Sequence, residues 1–266
     1  MATDDKRNRR ERAEAMRKER ERQDKRRRNI ITAAVVAVVL VVIAGAGFAV
    51  KSAVDDSAGD PARTPKGLTE DNGILLSATD VGGTAAPDPV KVTIFEDLQC
   101  PVCKAFEQTS GDWLDQQVAA GAIEIEYRPV AFLTEFSAES LAASMCVYEE
   151  AGAKGWRDYA RTVFENQPSE SGPGVDNAQL VDWAKEVGVD AAADCIEGRP
   201  FRDWAGDPPG DYSKVTEEAF ASKDSEGTQV SGTPTVWVDG TAVTGSGGNI
   251  PTPQDLATAV AAAKAG

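Results

Sequence analysis

The stretch FEDLQCPVCKAFE (residues 95–107) places Cys100 and Cys103 three positions apart, with Pro101 between them. Such a pair can be half of a zinc site, a structural disulfide or a redox dithiol. A zinc site would need four thiolates, yet the other two cysteines, Cys146 and Cys195, form no second close doublet. A purely structural Cys100–Cys103 bond would close a very small loop and would constrain the unfolded chain little.

The surrounding pattern favours a redox dithiol. The apolar, β-branched run VKVTIFED (residues 90–97) predicts a central strand, and Pro101 suits the first turn of a helix that ends at Gly121. The unpaired N–H groups at a helix start favour an anion, so the pKa of Cys100 should lie below the value of about 8.5 of a free thiol. Cys103, one turn into the helix, is placed to resolve a mixed disulfide at Cys100.

Charge is unevenly distributed along the chain. Residues 1–29 have a net charge of +6, and because the whole chain has a net charge of −15, the remainder sums to −21. This acidic remainder argues against nucleic acid as a partner. Residues Ile30–Val50 contain no charge and are long enough to cross a hydrocarbon core of about 30 Å. They predict a single-pass signal-anchor in the cell membrane, with a cytoplasmic N-terminus and an extracytoplasmic catalytic domain. A cleaved signal peptide is the alternative.

The sequence contains no histidine, which excludes a Ser-His-Asp triad, a Cys-His pair and any zinc site with a histidine ligand. No cofactor and no metal are predicted. Four cysteines allow three pairings. Because an exported domain permits stable disulfides, the favoured arrangement is a structural disulfide between Cys146 and Cys195, with Cys100 paired to Cys103.

Beyond the motif, residues 122–133 alternate as a half-buried strand does, and a helical block without any strand follows, to about residue 226. Within this block, Asn177 and Asp190 are predicted N-caps. Asp239–Gly240 lies between two strand-like runs and predicts a tight hairpin, and a final helix follows Thr252. The predicted class is α/β, with a small mixed sheet interrupted by helices.

The motif F-x-D-x-x-C-P-x-C (residues 95–103), together with Thr233–Pro234 ahead of the hairpin, resembles the DsbA-like thiol:disulfide oxidoreductases. The likeness is strongest to their membrane-anchored Gram-positive type and covers about residues 72–266. It implies a thioredoxin-like mixed sheet with an inserted all-helical domain. It also implies a catalytic cis-Pro234 that faces the cysteines and a Thr233 that tunes the dithiol.

The resemblance further implies that the Cys100–Cys103 disulfide passes to reduced exported proteins. A quinone-linked membrane oxidase, DsbB-like or VKOR-like (a vitamin K epoxide reductase homologue), would reoxidise the dithiol. A disulfide reductase or isomerase on the same fold, and a redox-inert membrane-anchored binding or chaperone module, are the alternatives. The predicted regions are a basic cytoplasmic tail (1–29), the anchor (30–50), a linker (51–72), a first thioredoxin-like part (73–135), the helical domain (136–226) and a second thioredoxin-like part (227–266).

Two positions depart from the family pattern. Val102 stands where the enterobacterial family member has histidine, and Ile94 stands where many thioredoxin-fold enzymes have a buried carboxylate. Glu96 and Asp97 are nearby candidates for the proton-shuttling carboxylate that Ile94 cannot provide, and an exposed acidic patch is the simpler interpretation of this pair.

Overall fold

The computed structural model describes residues 63–172, 174–248 and 250–265. The strands of its main sheet are β1 (Ile74–Leu76), β2 (Val90–Asp97), β3 (Ile123–Val130), β6 (Thr235–Val238) and β7 (Thr241–Ala242). They lie in the order β1-β3-β2-β6-β7. Strands β2 and β3 are parallel, and every other neighbouring pair is antiparallel. The predicted mixed sheet is therefore confirmed.

Strand β2 spans the predicted residues and lies at the centre of the sheet. Val92 and Ile94 point into the core cluster that also contains Cys103, whereas Phe95 points into a second cluster with Trp237 on the opposite face. A strand buried on both faces needs apolar residues at successive positions, which explains its nearly continuous apolar sequence.

The motif helix follows β2 and runs continuously through three segments: α1 (Pro101–Phe106), a π-helical turn (Glu107–Gly111) and α2 (Asp112–Ala119). Gly121 adopts a left-handed conformation (φ 70°) just after the helix, where the sequence predicted its end. The π turn was not predicted, because one wider turn leaves no distinct sequence pattern.

The segment between β3 and β6 is mainly helical. Its helices are α3 (Glu135–Glu165), α4 (Asn177–Glu186), α5 (Ala193–Gly198), α6 (Arg202–Ala205) and α7 (Lys214–Ala221). Gly152 interrupts α3 with a non-helical backbone (φ 67°, ψ −166°).

Two details of this segment correct the predictions. The segment is not all-helical, because β4 (Gly206–Asp207) and β5 (Asp211–Tyr212) form a two-stranded sheet. Gly206 (φ 89°) and Gly210 (φ 119°) take conformations that no helix contains, and they allow the chain to reverse there.

The predicted N-caps also shift by one residue. Asp176, rather than Asn177, caps α4 by accepting a hydrogen bond from the backbone N–H of Gln179 at 2.9 Å. Val189, rather than Asp190, precedes the short 3₁₀ turn at residues 190–192. Helix ends commonly differ by a residue or two from the sequence pattern.

The C-terminal part agrees with the sequence. Asp239 (φ 48°) and Gly240 (φ 74°) form the turn between β6 and β7. The last helix, α8 (Pro253–Ala265), begins after Thr252, whose hydroxyl accepts a hydrogen bond from the backbone N–H of Asp255 at 3.3 Å.

The predicted tail (1–29) and anchor (Ile30–Val50) lie outside the described residues. Within the part of the chain that the structure describes, none of the helices combines the length and apolarity needed to span a bilayer. Residues 63–72 of the predicted linker contact the folded part. Arg63 pairs with Glu149, and Tyr148 donates a hydrogen bond to the carbonyl of Gly67 at 2.6 Å. The limits of the predicted domains remain predictions.

Candidate active site

Cys100 stands immediately before the motif helix. Its extended backbone (φ −72°, ψ 119°) makes it the N-cap, and its carbonyl accepts a helical hydrogen bond from the N–H of Lys104 at 3.1 Å. Its side chain is 5% exposed, whereas Cys103, one turn into the helix, is 0% exposed. Both are free thiols. The two sulfurs therefore lie at a helix start, where the sequence placed them.

The loop before β6 brings a second element to Cys100. The Thr233–Pro234 peptide bond is cis. Sγ of Cys100 lies 3.5 Å from the carbonyl oxygen of Thr233, which accepts a hydrogen bond from this sulfur when the sulfur is protonated. The loop that contains Thr233 and Pro234 therefore lies next to the motif, although it is 133 positions away in the sequence.

The surroundings of Cys100 and Cys103 shift the pKa values of the two thiols in opposite directions. The pKa of Cys100 is lowered to about 6, first because Cys103 donates a hydrogen bond to it. The hydroxyl of Thr233, otherwise without a hydrogen-bond partner among the described residues, lowers the pKa of Cys100 further. Burial raises the pKa of Cys103 well above its ordinary value, and its hydrogen bond to Cys100 adds to that rise. The reduced protein therefore holds a thiolate at Cys100 and a protonated thiol at Cys103 near neutral pH.

Side chains of the helical segment fix the loop that leads to the motif. Gln167 donates from its amide nitrogen to the carbonyls of Leu98 at 2.8 Å and Cys100 at 3.2 Å. Gln99 donates in return to the carbonyl of Pro168 at 2.8 Å. Sequence reasoning missed these contacts, because a glutamine in a loop carries no local signal of its distant partner.

The expectation that Glu96 and Asp97 form an exposed acidic patch is wrong, since they are 3% and 0% exposed. The carboxylate of Asp97 accepts hydrogen bonds from the backbone N–H groups of Gln99 at 2.8 Å, Phe132 at 2.9 Å and Leu133 at 3.4 Å. Burial outweighs these bonds and raises the pKa of Asp97 to about 6. The sequence did contain a signal for this burial. Glu96 and Asp97 are the last two residues of a strand whose apolar sequence indicates burial on both faces.

Cys146 on α3 and Cys195 on α5 form a disulfide with a Cα–Cα distance of 5.7 Å. This is the pairing that the sequence favoured. Two of the four sulfurs of the hypothetical four-thiolate zinc site are therefore bonded to each other, which removes them as thiolate ligands.

Comparison with known proteins identifies the family. A family model described as Thioredoxin matches residues 79–260. The chain belongs to the thioredoxin family. A comparison with curated proteins finds no match.

Solved structures similar to this thioredoxin-family chain are thiol–disulfide enzymes. The reduced disulfide bond oxidoreductase DsbG of Mycobacterium tuberculosis is 26% identical with a TM-score of 0.55, and the match covers 77% of this chain and 90% of that chain. The oxidised DsbA of M. tuberculosis is 26% identical with a TM-score of 0.56, and the match covers 71% of this chain and 90% of that chain. MdbA of Corynebacterium diphtheriae, at 24% identity and a TM-score of 0.54, shares the fold over 70% of this chain and 92% of that chain.

These findings confirm the resemblance to DsbA-like proteins and the thioredoxin-like mixed sheet. They also confirm the enzyme class, a protein dithiol–disulfide oxidoreductase.

Proposed function

We propose that the protein is an extracytoplasmic oxidoreductase that donates the Cys100–Cys103 disulfide to exported proteins. The observation that supports this proposal best is the opposite environment of the two sulfurs. The thiolate of Cys100 is stabilised at a helix start, and the thiol of Cys103 is buried and protonated. Stabilising the reduced form in this way makes the disulfide form a better oxidant.

The exchange transfers two electrons from the substrate to the protein. A substrate thiolate attacks Sγ of Cys100 in the oxidised protein, and the Cys100–Cys103 bond breaks. The sulfur of Cys103 keeps the electron pair and takes up a proton. A second substrate thiolate then attacks the substrate sulfur of the mixed disulfide, which releases Cys100 as a thiolate. Because its pKa is low, Cys100 is a good leaving group.

Thr233 and Pro234 would act beside this sulfur. The carbonyl and the hydroxyl of Thr233 both reach Cys100, so we assign Thr233 to tuning the dithiol. Pro234 has no backbone N–H, and by family resemblance we assign it to the surface against which an extended substrate docks.

The location and the electron acceptor complete the proposal. The uncharged span Ile30–Val50, preceded by a basic tail, supports a membrane anchor with the catalytic part outside the cytoplasm. Reduced exported proteins would then be the substrates, and a quinone-linked membrane oxidase of the DsbB or VKOR type would reoxidise Cys100–Cys103. Family resemblance supports both partners.

The decisive experiment is the redox equilibrium of Cys100–Cys103 in a glutathione series, together with oxidative refolding of a reduced test protein. An oxidase should have a potential well above that of glutathione and should speed refolding, and Cys100→Ser should abolish this effect. A potential close to that of thioredoxin would favour the reductase alternative. Refolding that is equally fast with Cys100→Ser would leave only a redox-inert binding module.

The proposed location has a separate test. In intact cells that express the full chain, a membrane-impermeant thiol reagent should label reduced Cys100. Labelling that requires cell lysis would contradict an extracytoplasmic catalytic part. A Cys100→Ser chain identifies the labelled residue.

A further inference from the structure

Two short segments of backbone lie side by side at the start of the motif helix. One is residues 98–100, which lead from β2 into the helix, and the other is residues 166–168, which follow the end of α3. The side-chain amides of Gln99 and Gln167 each donate to backbone carbonyls of the opposite segment. The two segments are therefore joined in both directions, although they belong to different parts of the fold.

Gln167 is the donor that reaches the reactive residue. Its side-chain nitrogen lies 2.8 Å from the carbonyl oxygen of Leu98 and 3.2 Å from that of Cys100. An amide nitrogen carries two hydrogens, so one side chain can serve both carbonyls. The Cys100 carbonyl also accepts the helical hydrogen bond of Lys104 at 3.1 Å, so Gln167 uses its second lone pair. The backbone on both sides of Gln99 is thus held by a single group.

The end of α3 gives Gln167 a firm base. Val163 and Phe164, in the last turn of α3, are buried in the core. The backbone N–H of Gln167 donates to the carbonyl of Phe164 at 3.4 Å, so the glutamine continues directly from that buried turn. Lys104 of the motif helix donates from its side chain to the carbonyl of Glu165 at 3.1 Å, which is a further link between the two helices.

The sulfur of Cys100 depends on the orientation of its own backbone. The extended conformation of this N-cap residue directs the side chain to the helix start, where the backbone N–H groups of Val102 and Cys103 favour the thiolate. The same orientation places Sγ 3.5 Å from the carbonyl oxygen of Thr233. Hydrogen bonds weaken steeply with distance and angle, so a rotated backbone at residue 100 would lose part of this stabilisation.

We propose that Gln167 is a positioning residue for thiol–disulfide exchange, because it holds the backbone of Cys100 in the orientation that keeps its sulfur at the N-terminus of the motif helix. This inference rests on the proposed function, since it gives the inserted helical segment a part in the chemistry of the dithiol. Gln167 acts through Cys100, whose carbonyl it contacts. Without this contact the thiolate would be less stable, and the disulfide would be a weaker oxidant.

The test substitution, Gln167→Met, leaves every charge around the motif unchanged. The charged and titratable groups around the motif are Glu96 and Asp97 of β2, Cys103, Lys104 and Glu107 of the motif helix, and Arg157 of α3, which pairs with Glu107. Methionine is unbranched, similar in length to glutamine and also uncharged, but it has no donor. A change in the titration of Cys100 would therefore come from its geometry.

Titration of the Cys100 thiolate by its ultraviolet absorbance, in the reduced full chain, is the decisive measurement. The midpoint of wild type should lie at about 6. In Gln167→Met it should rise by about one pH unit, and the glutathione equilibrium should shift roughly fivefold toward the disulfide at neutral pH. Urea denaturation is measured in parallel. An unchanged midpoint, even with a loss of stability, would show that Gln167 has only a structural role and would overturn the proposal.

Two control variants separate the contact with Cys100 from a general loosening of the loops. Gln99→Met breaks the bond to the carbonyl of Pro168 but leaves the Cys100 carbonyl with its donor, so the midpoint should rise by less than in Gln167→Met. An equal rise would contradict a specific role of Gln167. Gln179→Met, at an exposed position of α4, should titrate as wild type does.

A second substitution keeps the test informative if Gln167→Met does not fold. Gln167→Asn keeps an amide in the loop, but its side chain is one methylene shorter and cannot reach both carbonyls. It should also raise the midpoint of Cys100, and a folded Gln167→Asn protein that titrates as wild type does would overturn the proposal.

The two proposals fail in different ways. If the wild-type protein cannot oxidise a reduced protein substrate, the proposed function is wrong, yet the titration of Cys100 still reports on Gln167. If Gln167→Met titrates as wild type does while wild type is an efficient oxidant, only the role of Gln167 is wrong.

Discussion

The sulfur of Cys100 lies 3.5 Å from the carbonyl oxygen of Thr233, a residue 133 positions further along the chain. This contact joins the N-terminus of the motif helix to the loop that enters β6. It places a backbone acceptor and a hydroxyl beside a sulfur whose hydrogen bond from Cys103 already favours the anion. The reactive centre is therefore built from residues that follow β2 and residues that precede β6. Gln167 of the intervening segment holds the loop beside it.

The first prediction concerns the pH dependence of Cys100. The pKa of Cys100 is lowered to about 6. The rate of alkylation of the reduced protein should therefore be half-maximal near pH 6 and should decrease at lower pH. Stopped-flow measurement with a small alkylating reagent would give the profile, and Cys100→Ser should lose the fast phase. A midpoint of about 8.5, typical of a free thiol, would contradict the prediction.

Val102 lies between the two cysteines and is 39% exposed, so its side chain can be exchanged without disturbing the core. Val102→His should lower the pKa of Cys100 by about one further unit, because a protonated imidazole would stabilise the thiolate. The glutathione equilibrium should move toward the dithiol accordingly. Val102→Asn, a polar but uncharged replacement, is the control and should have a smaller effect. An unchanged equilibrium in Val102→His would show that the position does not face the thiolate.

Asp97 accepts three backbone hydrogen bonds with its two carboxylate oxygens. Asp97→Asn turns one of these acceptors into a donor that faces N–H groups, which should lower the free energy of unfolding by about 2 kcal/mol. Urea denaturation would measure the change. Asp88→Asn, at an exposed loop position, is the control and should stay within about 0.5 kcal/mol of wild type.

The same residue should affect the pH dependence of stability. Its pKa is raised to about 6 in the folded protein, above the value of about 3.9 in an unfolded chain. The contribution of Asp97 to stability is therefore complete below about pH 4 and is lost as the pH rises through about 6. Comparing wild type with Asp97→Asn across this range should show a steeper decline in wild type, because only wild type has the carboxyl group of Asp97. Parallel curves would contradict the raised pKa.

The disulfide between Cys146 and Cys195 closes a loop with a sequence separation of 49. Replacing both residues by alanine should lower the free energy of unfolding by about 4 kcal/mol, because the unfolded chain regains the entropy of the open loop. The variant should keep a Cys100–Cys103 pair that exchanges with glutathione. A loss below about 1 kcal/mol would show that the cross-link constrains the unfolded chain little.

Much of the fold could be predicted because its signals are local. The apolar run of β2, Pro101 at the start of the motif helix and Asp239–Gly240 at the hairpin each depend on a few neighbouring residues. The two-stranded sheet of β4 and β5 was missed, since each of its strands is only two residues long. Strands of that length have no periodicity to detect.

The sequence by itself determined which two sulfurs form the motif, that Cys100 begins a helix and that Cys103 lies one turn deeper, because spacing along a helix is a property of neighbouring residues. Only the tertiary structure decided the protonation of these groups. Burial of Glu96 and Asp97, the Arg157–Glu107 ion pair and the contact of Thr233 with Cys100 all join residues from different elements. Proton affinity depends on the charges and on the loss of water around a group in space, which the order of residues along the chain does not specify.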